Sequence, residues 1–221
     1  MRNESGQDLS QVTHYPKRWL WTVVTAFMFV GVVVYHRVTD VPIGLMVRDP
    51  NQVAQGRAWT GIVSTIGNAL WVVSASVALF ATRFVPADDE PGRRALMVLG
   101  SFSVILFLDD SLLFHDEVLP DLGVPELAIS ATYALLGVGT LMIALPQLRR
   151  TGALPTFLAA VTLLATSVLI DLVDPREWWG PNGVFAVEDG AKFIGIGLWT
   201  DAVLRMSCGL SASRVLPKDD A

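Results

Sequence analysis

The sequence predicts an all-α, polytopic membrane bundle of six transmembrane helices with both termini in the cytoplasm. Three observations carry that expectation. The 221 residues are 52% hydrophobic and only 17% charged, with a mean hydropathy of +0.49, too apolar for an ordinary soluble domain of this length. The apolar residues gather into six runs, each close to the ~20 residues a helix needs to cross the hydrocarbon core. The Lys and Arg residues divide unevenly between alternate connections, as the positive-inside rule requires.

The runs are Trp19 to Val38, Ala58 to Phe84, Ala95 to Leu119, Leu127 to Leu148, Leu154 to Val173 and Val184 to Met206. Each is expected to be helical, because lipid leaves no partner for an open backbone and the alternating pattern of a membrane barrel is absent. Pro42 and Pro50, Pro86 and Pro91, Pro120 and Pro125, Gly152 and Pro155, and the stretch from Pro175 to Gly183 mark the connections. Residues 1–18 read as a polar cytoplasmic tail rather than a cleaved signal, 19–206 as the membrane domain, and 207–221 as a second cytoplasmic tail.

Orientation follows from the basic residues. Arg2, Lys17, Arg18, Arg83, Arg93, Arg94, Arg149, Arg150, Arg205, Arg214 and Lys218 fall on one side, whereas Arg37, Arg48, Arg57 and Arg176 fall on the other. The first side is read as cytoplasmic. Trp19, Trp21, Trp59, Trp178 and Trp179 near the span ends suit an interfacial aromatic belt, while Trp71 and Trp199 lie deeper and read as core, with the wall of a ligand pocket as the alternative. The expected residence is a prokaryotic inner membrane.

The composition also excludes functions. A single cysteine, Cys208, leaves no disulfide framework and no Cys-x-x-Cys zinc motif. A net charge of -5 with scattered basic residues gives no footprint for nucleic acid.

The chemistry gathers in one leaflet. The segment FLDDSLLFHDEVLP places Asp109, Asp110, His115, Asp116 and Glu117 at the outer end of the third span. The fifth span ends in Asp171 and Asp174, and the sixth opens with Glu188, Asp189 and Lys192. His36, Asp40, Ser64 and Asn68 fall in the same half, and the inner halves carry almost nothing ionisable. A charge at mid-bilayer costs roughly 2.5–3.5 kcal/mol or more, so such residues face the protein interior, pair, or serve function. Asp116, Glu117, Asp121, Asp174 and Glu177 read as loop or helix-end acids in water, whereas Asp109, Asp110, Asp171, Glu188 and Lys192 read as a network.

On a continuous helix, Asp110 shares a face with Phe114 and Glu117, Ser111 with His115, and Asp109 with Asp116. Either the helix unwinds near His115 or only some of these groups reach one site, and Asp110 with His115 is the favoured pair. Glu188 and Lys192, spaced i, i+4, suit an ion pair.

Carboxylates with imidazole in a dry site can hold a divalent metal such as Zn, with Mn or Fe also suited to Asp109, Asp110, His115, Asp171 and Glu188, although no known metal-ligand spacing is present. Without metal, Asp110, His115, Asp171, Glu188 and Lys192 can divide acid and base roles on a lipid-like substrate. The sequence therefore points to an enzyme, of hydrolase type or related, acting on a lipid or isoprenoid. A non-catalytic membrane subunit or binding protein and a proton- or cation-coupled transporter remain as alternatives.

Three short resemblances accompany this reading. Glu188-Asp189-x-x-Lys192 looks like the Glu-Glu-x-x-Lys or Arg motif of glutamic intramembrane proteases related to the CAAX prenyl-protein peptidases, which implies an acid that activates water. The same run, EDGAKFIGIG, looks like the last helix of microbial rhodopsins, a seven-span family. Asp109 and Asp110 are similar to the third-helix acid of the alkaline ceramidase superfamily, whose closing histidine pair has no counterpart in this chain. Each covers only a short motif.

Overall fold

A computed structural model of the chain describes residues 20–47, 50–57, 60–173 and 175–212. The predicted N-terminal tail, Trp19, Arg48, the Ala58–Trp59 start of the second predicted span, Asp174 and residues 213–221 lie outside the described residues, whereas residues 207–212 of the predicted C-terminal tail continue the last helix, with Ser207 and Leu210 buried. Among the described residues every regular element is helical: α1 (Leu20–Thr39), α2 (Ile43–Val47), α3 (Pro50–Val53), α4 (Ile62–Ala81), α5 (Glu90–Leu112), a π-helical turn (Phe114–Val118), α6 (Leu119–Asp121), α7 (Glu126–Arg150), α8 (Leu154–Val173) and α9 (Arg176–Ala212). Among the described residues α4, α5, α7, α8 and the Asn182–Ala212 part of α9 are long and apolar enough to cross a membrane, five in all. The chain is a multi-pass membrane protein.

Residues up to Thr60 form one compact unit and those from Gly61 another. In the first, α1 is an apolar helix whose end is closed locally: the Asp40 amide bonds the His36 carbonyl at 2.9 Å, and His36 Nδ1 donates to the Val41 carbonyl at 2.8 Å. The predicted polar contribution of His36 is thereby explained within its own segment. A hollow of about 450 Å³ runs along α1 past Phe27, Val34 and Val38, with no charged side chain in its wall.

In the second unit α4 packs against α5 and α9, α5 against α7, and α8 against α9. Lipid supplies no hydrophobic drive between helices, so close packing and polar contacts hold the bundle together. Small residues make that packing tight. A Cβ at Gly100 would meet Leu79 Cγ at 2.7 Å, and one at Gly195 would meet Leu164 Cγ at 3.0 Å. Trp71, Leu96, Leu99, Leu148, Phe157 and Met206 are almost wholly buried. Trp199 stands 5.8 Å from Trp71 edge to face and 4.7 Å from Phe157, so both deep tryptophans belong to the core as the sequence suggests.

Element ends depart from expectation where local chemistry intervenes. α5 starts at Glu90, five residues earlier than predicted, because Asp89 caps it by accepting the Gly92 amide at 2.9 Å with Pro91 in the first turn. It ends at Leu112 rather than Leu119. Leu113 takes the left-handed conformation, φ 53°, which costs an L-residue roughly 1–2 kcal/mol, and its amide closes on the Asp109 carbonyl. The chain then continues as the π turn and α6. Gly180, with φ 68° and ψ 161°, kinks α9 before its spanning part.

Candidate functional site

The helix break after Leu112 decides which of the clustered side chains meet. Had α5 continued, Asp109 and His115 would lie on different faces. Instead the π turn brings His115 back over Asp109. The His115 amide, freed from helical bonding, donates to Asp109 Oδ1 at 3.1 Å, and its ring Nδ1 lies 2.6 Å from Asp109 Oδ2. That ring contact is a charge contact without the alignment of a hydrogen bond, since Nδ1 is otherwise unpartnered. Tyr133 of α7 donates its hydroxyl to Asp109 Oδ1 at 2.7 Å. Asp109 is 5% exposed, so two hydrogen-bond donors and the adjacent imidazole around one carboxylate compensate its burial. His115 Nε2 turns outward to Asp116 Oδ1 at 3.1 Å.

The favoured pairing of Asp110 with His115 is therefore corrected: the imidazole goes to Asp109. Asp110, about 100° further round α5, faces two other helices. Its Oδ2 accepts Trp71 Nε1 of α4 at 2.9 Å, and its Oδ1 lies 2.7 Å from Lys192 Nζ of α9. Lys192 thus takes a short ion-pair contact across the bundle, to an acid that the i, i+4 rule on its own helix does not reach. Trp71 lies nine residues into α4 and Lys192 ten into the spanning part of α9, about 14–15 Å at 1.5 Å per residue. Because α5 meets them two residues from its own end, it stops well short of its neighbours. The π turn and α6 occupy the remaining depth. Irregular backbone is tolerated at such depth only when its polar groups are satisfied, which the Asp109 carboxylate does for the His115 amide.

A second polar chain runs further into the bundle. Trp199 Nε1 donates to Ser103 Oγ at 3.0 Å, and Ser74 Oγ donates to Thr200 Oγ1 at 2.9 Å, so both deep tryptophan nitrogens are satisfied.

The predicted residues thus divide. Asp109 and His115 form one cluster with Tyr133, and Asp110 and Lys192 form another with Trp71. Asp171 is exposed at the end of α8 and makes no contact with either cluster among the described residues. Glu188 is half-buried one turn before Lys192, and Asp189 and Ser64 are exposed. Among the described residues no group of three or more His, Cys, Asp or Glu side chains is arranged to hold a metal ion, so the divalent-metal expectation finds no ligand set. Trp71, read as core with a pocket wall as the alternative, is a site residue, and so is Tyr133, which the sequence reading does not mark. Tyr133 is one of only three tyrosines in the chain and sits alone in an apolar span, the one signal that marks it.

His115 lies in the π turn, beyond the end of α5. Contact with the Asp109 carboxylate, opposed by partial burial and assisted by the charge of Asp116, holds its imidazole pKa above the ordinary histidine value; Lys192 acts weakly the other way.

Beside this cluster a groove of about 220 Å³ opens between α5, α6 and α7, walled by Ile105, Leu119, Val124, Ile129, Tyr133 and Leu136. Tyr133 is the side chain shared by the groove and the Asp109 cluster.

A family described as Domain of unknown function (DUF8692) matches residues 20–206 of the chain. No curated protein and no solved structure matches it.

Proposed function

From the premise that the chain belongs to the DUF8692 family, whose description attaches no activity, we propose an acid/base enzyme of hydrolase type that acts on a lipid or isoprenoid in a prokaryotic inner membrane. α1 supplies a sixth span, and both termini are cytoplasmic. Within the second unit Arg83, Arg93, Arg94, Arg149, Arg150 and Arg205 crowd the end away from the acids, against Arg176 at the acid end, which supports a non-cytoplasmic site.

One observation carries the catalytic reading: a buried carboxylate, Asp109, faces an imidazole at 2.6 Å and a phenol at 2.7 Å beside an apolar groove. Asp109 orients the ring so that Nδ1 keeps its proton and Nε2 faces the reaction. Asp116, more than half exposed, swings off Nε2 to admit water. Nε2 takes a proton from that water as its oxygen bonds to the acyl or phosphoryl centre. The bond to the alcohol leaving group then breaks, and His115 returns the same proton to the leaving oxygen. Asp110 and Lys192 hold α5 against α4 and α9 rather than react. Asp171 and Glu188 are outside this mechanism.

The test is hydrolysis of a panel of ester and phosphodiester lipids by the full chain in proteoliposomes, with His115→Gln and Asp109→Asn beside it. Turnover that drops by the ~10²–10⁴-fold typical of lost acid/base catalysis supports the reading. Turnover unchanged in both variants, or none in the parent protein, ends it. One observation favours a second reading, a non-catalytic binding protein: Asp109, Asp110 and Asp116 already each face a protein cation or donor.

A further inference from the structure

We infer that the groove between α5, α6 and α7 seats one hydrocarbon chain of a membrane lipid whose headgroup carries an amine. This rests on the catalytic reading above and names the class of substrate for it.

The groove's size selects a chain rather than a compact ligand. At about 220 Å³ it falls below the ~300–1,000 Å³ of most small-molecule pockets. It follows α7 from Leu136 to Ala128, eight residues, or about 12 Å of helix. Its wall asks for no polar partner: the Thr132 hydroxyl is spent on the Ala128 carbonyl at 2.8 Å, and the Tyr133 hydroxyl on Asp109 at 2.7 Å. An apolar occupant loses nothing there. Leu119 and Val124 wall one end, beside the π turn and α6, so a chain whose polar end lies there brings it to the segment of His115.

Charge at that end selects the headgroup. The segment 113–125 exposes Asp116, Glu117 and Asp121, and no Lys or Arg occurs anywhere between Arg94 and Arg149. His115 is held between Asp109 and Asp116, and Lys192 is committed to Asp110. An anionic headgroup would therefore meet acids with no free basic side chain from this stretch, and an ammonium would meet complementary charge.

The experiment uses the full chain in lipid nanodiscs with two spin-labelled probes, a phosphatidylethanolamine and a phosphatidylglycerol bearing the same labelled acyl chain. The immobilised fraction of each is read by electron spin resonance. The expected result is an apparent affinity about fivefold higher for the ethanolamine lipid, the preference a surface charge pair supplies. Ala128→Trp, which fills the groove, removes the immobilised fraction of both probes, with Leu136→Trp as the second blocking variant should the first misfold. Glu117→Gln with Asp121→Asn keeps the immobilised chain and lowers the preference. An immobilised fraction that survives both blocking variants overturns the chain site, and equal or greater retention of the glycerol lipid overturns the headgroup assignment. Retention needs no turnover. A groove that binds in a protein without activity leaves this inference standing and removes the catalytic reading, whereas activity with an empty groove does the reverse.

Discussion

Asp109 and Asp110 are neighbours in sequence yet serve different interfaces: Asp109 accepts the Tyr133 hydroxyl of α7, and Asp110 meets Trp71 of α4 and Lys192 of α9. Two successive acids are separated by about 100° on a helix, so one pair ties α5 to three partners. Placing both in an apolar bundle is tolerable because each carboxylate has at least two donors or cations within hydrogen-bond reach.

The Asp110–Lys192 pair should therefore show strong coupling in a double-mutant cycle. Asp110→Asn and Lys192→Met each leave a buried partner uncompensated, at a cost of about 2–3 kcal/mol. That is less than the ~3–5 kcal/mol of a fully buried pair, because Lys192 keeps 38% of its side-chain exposure. Asp110→Asn with Lys192→Met should cost less than the sum of the two single changes, since removing both charges removes the mismatch. Unfolding of the detergent-solubilised variants measures it, and additive losses would mean the contact carries no energy.

The indole of Trp71 is predicted to be polar in its work although core in its position. Trp71→Phe keeps the packing against Trp199 at 5.8 Å but removes the donor to Asp110 at 2.9 Å, so a loss of about 1.5–3 kcal/mol is expected for a hydrogen bond to a charged acceptor. Asp110→Asn added to a chain that already carries Trp71→Phe should then cost less than it does in the parent chain, and unfolding of the double variant measures the difference.

How much of this was legible in the sequence follows from these residues. The helical class and the approximate spans rest on apolar runs of helix length, which composition records directly, and the depth of Trp71 and Trp199 could be counted along a helix. Partnerships could not. The favoured pairing of His115 with Asp110 failed because a sequence that allows the helix to unwind does not say which way the break turns the ring: the left-handed Leu113 followed by the π turn rotates His115 onto Asp109. Lys192 was weighed against acids on its own helix, since i, i+4 spacing is visible in a sequence while a contact across the bundle to Asp110 is not. Tyr133 was missed for the same reason: its role depends on which face of α7 meets α5.

Close helix contact yields a prediction independent of the charges. Gly100→Ala puts a methyl 2.7 Å from Leu79 Cγ and should destabilise the α4–α5 contact by about 1–3 kcal/mol through overpacking. Gly139→Ala, where a Cβ meets nothing within 4 Å, should be neutral or stabilising through the roughly 1 kcal/mol gain in helix propensity. Thermal unfolding of the pair compares one substitution at a packed and an open site. Equal effects would count against the packing described for Gly100.

The pH dependence of stability should carry the signature of His115. Its pKa is raised in the folded protein, first by the Asp109 contact and then by the charges of Asp109 and Asp116, against burial and Lys192. The groups facing it are thus Asp109 on α5, Asp116 on its own turn, Lys192 on α9, and Tyr133 of α7 through the shared carboxylate. A raised folded pKa means that the protonated imidazole stabilises the fold fully below the unfolded value near 6.5, and that this contribution is lost as pH rises through the folded value. Stability should therefore fall on going upward from pH 6.5, and His115→Gln should flatten that slope. Asp116→Asn should weaken it less than Asp109→Asn, because Asp116 is 53% exposed and its charge is screened, whereas Asp109 is 8% exposed at its side chain. Unfolding midpoints of the three variants between pH 6 and 9 measure the slope. A midpoint in the parent chain that rises over this interval would contradict the Asp109–His115 contact as the source.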